Sequence, residues 1–284
     1  MKTKRKIIER GSRMDFRDIF SVEGKIVCVT GGGGGIGRGI AGGFVAGGAR
    51  VYIASRSDLS EIAKELDAGG PGECIALRAD LAKDDDISGL VEQLREREGK
   101  LDVLVNNAAL GNFQHKFEDF PMEDWDQMNA VNVRAPFALT KECLPLLTLA
   151  GDSGEHASVI NIASVDGIRI TSDNDWAYGH GKAGLIHLTR QWAGRLGNKG
   201  GRKGGRNITF NVLAPGPFPG MLDRFLATEE GVAAISSMTT VGRVGKPEDM
   251  GAACVFLSSR GGSYITGAVL PVDGGLLVGR GANQ

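Results

Sequence analysis

Thr30-Gly31-Gly32-Gly33-Gly34-Gly35-Ile36-Gly37 is the stretch that decides the fold. The apolar, β-branched run at residues 25–30 reads as a strand that ends on this loop, and the apolar-periodic run at residues 36–47 reads as a helix that begins from it. Glycines at such a turn let backbone approach a pyrophosphate, while the first helical turn offers aligned N–H donors. The spacing is G-x-x-x-G-x-G, with Gly31, Gly35 and Gly37 at the key positions and Thr30 and Ile36 beside them. A dinucleotide site is the reading favoured by this placement; a plain glycine turn is the alternative.

Outward from the loop, apolar runs alternate with helical patterns, the signature of βαβ units and a parallel sheet. Further strands are expected at residues 50–54, 73–78, 101–105, 158–163, 207–213 and 269–272. Helices are expected at 57–68, 84–98, 125–149, 176–196, 221–236 and 247–257, the long one kinking near Pro136 and Pro145. Strands so continuous in Val, Ile and Leu belong to a sheet covered on both faces. The expectation is an α/β, doubly wound, mostly parallel seven-stranded sheet with helices on both faces. Neither a repeat nor a linker divides the chain, so residues 14–284 are expected to form a single domain.

Two segments fall outside this pattern. Residues 1–13 are basic and lack the apolar core of a secretory signal, so they are expected to be a disordered extension. Residues 198–206 mix four cations with glycines and read as a mobile, solvated insertion.

Bulk properties exclude several classes. Lys plus Arg total 33 against 34 for Asp plus Glu, so no global field recruits nucleic acid or an acidic membrane. No apolar run reaches bilayer length. The four cysteines, Cys28, Cys74, Cys143 and Cys254, are dispersed without zinc spacing. They read as buried small hydrophobes in a reducing compartment, so a cytoplasmic protein with no metal is expected.

At the end of the second strand stands Ala54-Ser55-Arg56-Ser57. An NAD site would want a carboxylate there for the ribose hydroxyls, whereas a guanidinium suits a 2′-phosphate. NADP(H) is therefore favoured, with NAD(H) as the alternative. Further on, Tyr178-Gly179-His180-Gly181-Lys182 puts a phenol and an ammonium at i and i+4 on one helix face. An adjacent cation favours phenolate, so Lys182 is expected to bring the Tyr178 pKa down toward general acid–base use. His180 reads as a packing or solvent-facing residue.

Taken in order, these motifs resemble those of the classical short-chain dehydrogenase/reductase family, from about Phe20 to Val278. Thr30 to Gly37 is similar to its T-G-x-x-x-G-x-G loop. Asp80-Leu81 resembles its adenine contact, and Asn106-Asn107-Ala108-Ala109 its N-N-A-G motif, with Ala109 in place of the final Gly. Asn132, Ser164 and the Tyr178–Lys182 pair match the catalytic positions, and Asn211 to Gly216 resembles N-x-x-x-P-G. Tyr264-Ile265-Thr266-Gly267 and Val272-Asp273-Gly274-Gly275 complete the pattern.

The resemblance implies a single-domain Rossmann fold and hydride transfer between a nicotinamide and a ketone or secondary alcohol, a small-molecule substrate. Tyr178 would be the general acid or base, Ser164 would hold the reacting oxygen, Lys182 would act on Tyr178 and the nicotinamide ribose, and Asn132 would support a water relay. Cofactor contacts would also include Asn107, Ala108, Pro215, Gly216 and Phe218. The Pro217-Phe218-Pro219-Gly220-Met221 lid lacks the Thr that many relatives use, and with Ala177-Tyr178-Gly179 it resembles 3-oxoacyl reductases of the rhamnolipid-biosynthesis type. Polyol, steroid or polyketide dehydrogenases and reductases are alternatives, as is a non-catalytic NADP(H)-binding sensor or scaffold. Ala109, Phe113, Asp166, Trp176, Phe218 and Met221 are expected to border the substrate pocket. Such helices usually pair with a second subunit, so a homodimer or homotetramer is expected; Leu185, Leu188, Trp192 and Leu196 either line that interface or cover the sheet.

Overall fold

Continuous β-branched runs form seven strands in the computed structural model of the chain, which describes residues 16–153, 156–170, 174–197 and 206–279. The expected extension at 1–13 lies outside the described residues, as does the basic insertion apart from Arg206. The strands are β1 (Ile26–Thr30), β2 (Arg50–Ser55), β3 (Glu73–Arg78), β4 (Val103–Asn106), β5 (Ala157–Ile162), β6 (Ile208–Pro215) and β7 (Val269–Val272). They form one sheet in the order β3-β2-β1-β4-β5-β6-β7, and every pairing is parallel. The doubly wound Rossmann arrangement expected from the sequence is thus present, in fully parallel form.

The helices are α1 (Phe16–Ile19), α2 (Gly35–Ala46), α3 (Ser60–Asp67), α4 (Asp84–Glu98), α5 (Met122–Asn129), α6 (Ala135–Asp152), α7 (Tyr178–Leu196), α8 (Glu229–Ser237) and α9 (Pro247–Ser258). Alternation along each strand divides the core into two layers. Cys28, Tyr52 and Leu104 point toward α4, α6 and α7, where they meet Leu90, Leu139 and Trp192. Val27, Val29, Ile53 and Val105 point the other way, toward Phe44 of α2 and Met250 and Cys254 of α9. Burying each of these larger side chains stabilises the fold by about 1.5–3 kcal/mol.

Several element boundaries differ from the sequence expectation, each for a local reason. The fourth strand begins at Val103, because the Leu101 N–H donates to Leu146 O of α6 (3.2 Å) rather than to a neighbouring strand. The seventh helix begins at Tyr178, because Asp175 Oδ1 accepts from the N–H groups of Tyr178 (2.8 Å) and Gly179 (2.9 Å). In the 221–236 region only Glu229–Ser237 is helical, capped by Thr228 Oγ1 accepting from Gly231 N at 3.1 Å.

The long helix expected at 125–149 runs as three joined segments. A π-helical turn at Ala130–Arg134 joins α5 to α6, with Pro136 in the first turn of α6 and Pro145 inside it. Of the four residues expected either at an interface or over the sheet, Leu185 and Trp192 are buried, and Leu188 and Leu196 pack against the α6–α7 side of the core. Among the described residues no helix is long and apolar enough to cross a membrane, and no cluster of His, Cys, Asp and Glu could hold a metal.

Candidate active site

Sheet order reverses at β1, which pairs with β2 on one side and β4 on the other. The C-terminal ends of these strands therefore border the crevice where open α/β sheets bind ligands. Thr30 ends β1 and is spent within the protein: its Oγ1 donates to Val105 O (3.3 Å) and accepts from Asn107 N (2.9 Å) and Ala108 N (3.0 Å). Asn107 Nδ2 returns a bond to Thr30 O at 2.8 Å, so the glycine loop is tied to the end of β4.

A Cβ on Gly37 would strike the Gly31 carbonyl oxygen, and Gly35, at φ +48°, would set one 2.9 Å from Pro219 O. Only glycine allows both approaches. The N-terminus of α2 has no side-chain cap and no acidic residue in its first turn. Its N–H donors thus face the crevice without a protein anion, which fits the pyrophosphate of a dinucleotide.

At the end of β2, Ser55 is half-buried and Arg56, the next residue, is exposed. Sequence reasoning missed Arg78, the last residue of β3. It stands in register with Ser55, and its Nε donates to Arg56 O at 3.0 Å, which brings a second guanidinium to the place expected to meet a 2′-phosphate. The signal that finds it is strand register, not motif. Asp80 lies close by, its Oδ1 accepting from Ala82 N at 3.1 Å. The Leu81 side chain is buried in the core beside α4, so the adenine contact expected of Asp80-Leu81 would come from the Leu81 backbone and from Asp80.

Ser164, Tyr178 and Lys182 converge where β5 ends and α7 begins. Lys182 is 2% exposed; its Nζ donates to Ile162 O (2.8 Å) and lies 5.3 Å from the centroid of the Tyr178 ring. Ser164 Oγ accepts from Asp166 N (3.1 Å) and donates to Asp166 Oδ2 (3.3 Å), beside the Tyr178 hydroxyl. Burial raises the Tyr178 pKa well above its ordinary 10.0, the nearby Ser164 hydroxyl opposes the rise, and Asp166 and Asp175 add to it. Burial also lowers Lys182 to about 7. Desolvation of the phenol thus sets the direction for Tyr178, opposite to the lowering expected from Lys182.

Asn132 sits in the π turn and is 1% exposed. Both ends of its amide are used on one residue, Oδ1 accepting from Leu110 N and Nδ2 donating to Leu110 O, each at 2.8 Å. Its side chain holds the loop after β4, which carries Ala109 and Phe113. His180 packs as expected, stacked on Trp125 at 4.4 Å and 5°, with Nε2 3.1 Å from Asn129 Oδ1.

These elements enclose a cavity of about 800 Å³. Gly31, Gly35, Ile36, Gly37, Asn107 and Ala108 line it on the loop side, together with Ser164, Tyr178, Lys182, Pro215, Gly216 and Phe218. Ala109, Phe113, Asp166 and Met221 line it too, as expected for pocket residues. Trp176 does not: its Nε1 donates to His115 O (3.1 Å) and its ring meets Phe117 edge-on at 5.3 Å, so it braces the loop behind the cavity. Apolar residues that the sequence did not single out, Leu222, Phe225, Ile235 and Met238, come from the segment after Gly220.

Comparison with known proteins agrees with this geometry. A family model described as enoyl-(acyl carrier protein) reductase matches residues 31–277. The rhamnolipids biosynthesis 3-oxoacyl-(acyl-carrier-protein) reductase of Pseudomonas aeruginosa is 38% identical over 259 residues, which cover 90% of this chain and 97% of that protein. The 2-dehydro-3-deoxy-D-gluconate 5-dehydrogenase of Escherichia coli is 32% identical over 263 residues, 91% of this chain and 97% of its own. A solved structure, the Pseudomonas aeruginosa RhlG/NADP active-site complex, superposes with a TM-score of 0.84 at 37% identity, covering 91% of this chain and 98% of that one.

Proposed function

We propose a function from a fixed premise: the chain belongs to the short-chain dehydrogenase/reductase family and is an NAD(P)-dependent oxidoreductase acting on CH–OH donors. Within that activity, the reading is an NADP(H)-dependent interconversion of a ketone and a secondary alcohol, on a 3-oxoacyl or related carbonyl compound. The observation that carries it is the convergence of Ser164, Tyr178 and Lys182 on a cavity that the glycine loop also lines.

The bound dinucleotide supplies or accepts the hydride; everything else falls to the chain. The first-turn N–H groups of α2 hold the pyrophosphate, and Arg56 and Arg78 receive the 2′-phosphate as a guanidinium pair. Ser164 Oγ fixes the reacting oxygen beside the Tyr178 hydroxyl, which delivers a proton in reduction and removes one in oxidation. Lys182, 5.3 Å from the ring centroid, is close enough to stabilise the phenolate when protonated. Asn132 keeps the Ala109–Phe113 wall in place through Leu110. The apolar segment containing Met221, Phe225 and Met238 favours a substrate with a hydrocarbon portion.

A panel of ketones that includes 3-oxoacyl esters, incubated with NADPH and separately with NADH, tests this reading. Absorbance loss is expected with NADPH in preference to NADH. Tyr178→Phe is expected to lower kcat by about a hundredfold to ten-thousandfold with little change in dinucleotide affinity. Full activity in that variant, or no turnover with any ketone, would sink the proposal.

A further inference from the structure

Asp175 stands outside the cavity wall yet holds a residue that lines it. Its side chain is half-buried just before α7, and its Oδ1 accepts from Tyr178 N (2.8 Å) and Gly179 N (2.9 Å). Those two N–H groups open the helix, so the carboxylate ties down the backbone from which the Tyr178 ring projects. The fit is close. A Cβ on Gly179 would lie 2.6 Å from Asp175 Oδ2 and 3.1 Å from Asp166 O, so a glycine there leaves room for the carboxylate and for the turn that carries Asp166. Asn174 and Tyr178 line the cavity and Asp175 does not.

The carboxylate also brings charge toward the phenol. Around Tyr178 stand Ser164 from the end of β5, Asp166 in the turn at Val165–Gly167, Asp175, and Lys182 on its own helix, 5.3 Å from the ring centroid. The apolar residues of its cluster, Leu110, Phe113 and Met128, come from the loop after β4 and from α5. His180 turns away to stack on Trp125. A negative charge at Asp175 disfavours the phenolate directly, and it covers the positive end of α7, which would otherwise favour it.

We propose that Asp175 is a positioning residue for the reaction, anchoring the backbone from which Tyr178 projects beside Ser164 and setting a negative charge against which the phenolate must form. This rests on the ketone–alcohol reading above, in which the Tyr178 hydroxyl gives and takes the proton. A phenol held in this way stays protonated over a wider pH range, and the protonated form is the one that ketone reduction uses.

Asp175→Asn removes the charge and keeps an acceptor for the same N–H groups, whereas Asp175→Ala removes both. The chain has three tyrosines, so biosynthetic replacement by difluorotyrosine, whose phenol ionises more readily, gives few fluorine NMR signals. The signal lost in Tyr178→Phe is that of residue 178. In protein saturated with NADP+, its titration midpoint is expected to fall by at least about 0.3 unit in Asp175→Asn. In ketone reduction with NADPH, kcat/KM of Asp175→Ala is expected to lie at least about threefold below that of Asp175→Asn, with NADPH affinity unchanged in both. A residue that merely capped the helix would leave the midpoint in place. Asp175→Ser, a shorter uncharged acceptor, replaces Asp175→Asn in both comparisons should that variant not fold. A smaller fall or a rise of the midpoint overturns the proposal, and so does a smaller gap between the two variants. If no ketone is reduced while the midpoint falls as stated, the reaction assignment fails and the hold of Asp175 on the Tyr178 proton stands.

Discussion

Lys182 shows what a functional position costs a core. Its aliphatic stem and ammonium are both buried, and its Nζ donates to Ile162 O. Burial depresses its pKa from 10.5 to about 7, so the unfolded chain holds this proton more tightly than the folded one. Stability is therefore lost as pH falls from about 10.5 toward about 7, with no further loss below. Lys182→Met is expected to melt several degrees above wild type at pH 7, at about 2–4 °C per kcal/mol, with the gap closing as pH approaches 10. Thermal melts at pH 7 and pH 9 check this, and a variant less stable at both values contradicts it. The Tyr178–Lys182 pair was legible in the sequence because i, i+4 spacing survives any helix. Arg78 was not, since its nearness to Arg56 depends on the register of β2 with β3. Trp176 was assigned by position alone, and position does not say which way a side chain turns.

At the scale of elements, the join between α5 and α6 governs the site. The π turn at Ala130–Arg134 carries Asn132, and Pro136, four residues on, has no N–H to offer the Asn132 carbonyl. The widened turn was not legible in the sequence, because apolar spacing does not distinguish it from regular helix. Pro136→Ala restores the donor and is expected to draw the turn toward regular α-helix, shifting the Asn132 amide away from Leu110. The expected result is a severalfold drop in kcat with an unchanged or higher melting temperature; a kcat equal to wild type counts against the link. Buried polar groups tie the neighbouring elements to the same frame. Asn106 Nδ2 donates to Asn161 Oδ1 (2.8 Å), Asn161 Nδ2 donates to Thr189 Oγ1 (2.7 Å), and β4, β5 and α7 are joined in one chain of bonds. Asn106 was legible only as part of a motif, since its side-chain partners Thr140 and Asn161 lie 34 and 55 residues away in the sequence.

For the whole molecule, one parallel sheet separates two apolar layers, and its strand composition made that architecture readable in advance. The four cysteines are shared between the layers, Cys28 and Cys143 on one face, Cys74 and Cys254 on the other. Burial raises all four thiols, Cys28 and Cys74 to about 12. An aromatic disulfide reagent at pH 8 is thus expected to label none of them quickly, and to label all four at a common rate set by opening of the fold. A single fast thiol would show that one face opens by itself. The segment after β6 adds a property that belongs to no single layer. Pro219 and Gly220 lie against Gly35, while Met221 and Leu222, the next residues along, line the substrate side. One short segment would thereby wall both the dinucleotide and the substrate. Whatever factor the first contributes to the second's affinity, the second must return to the first, so the half-saturation of either is a function of how much of its companion is present.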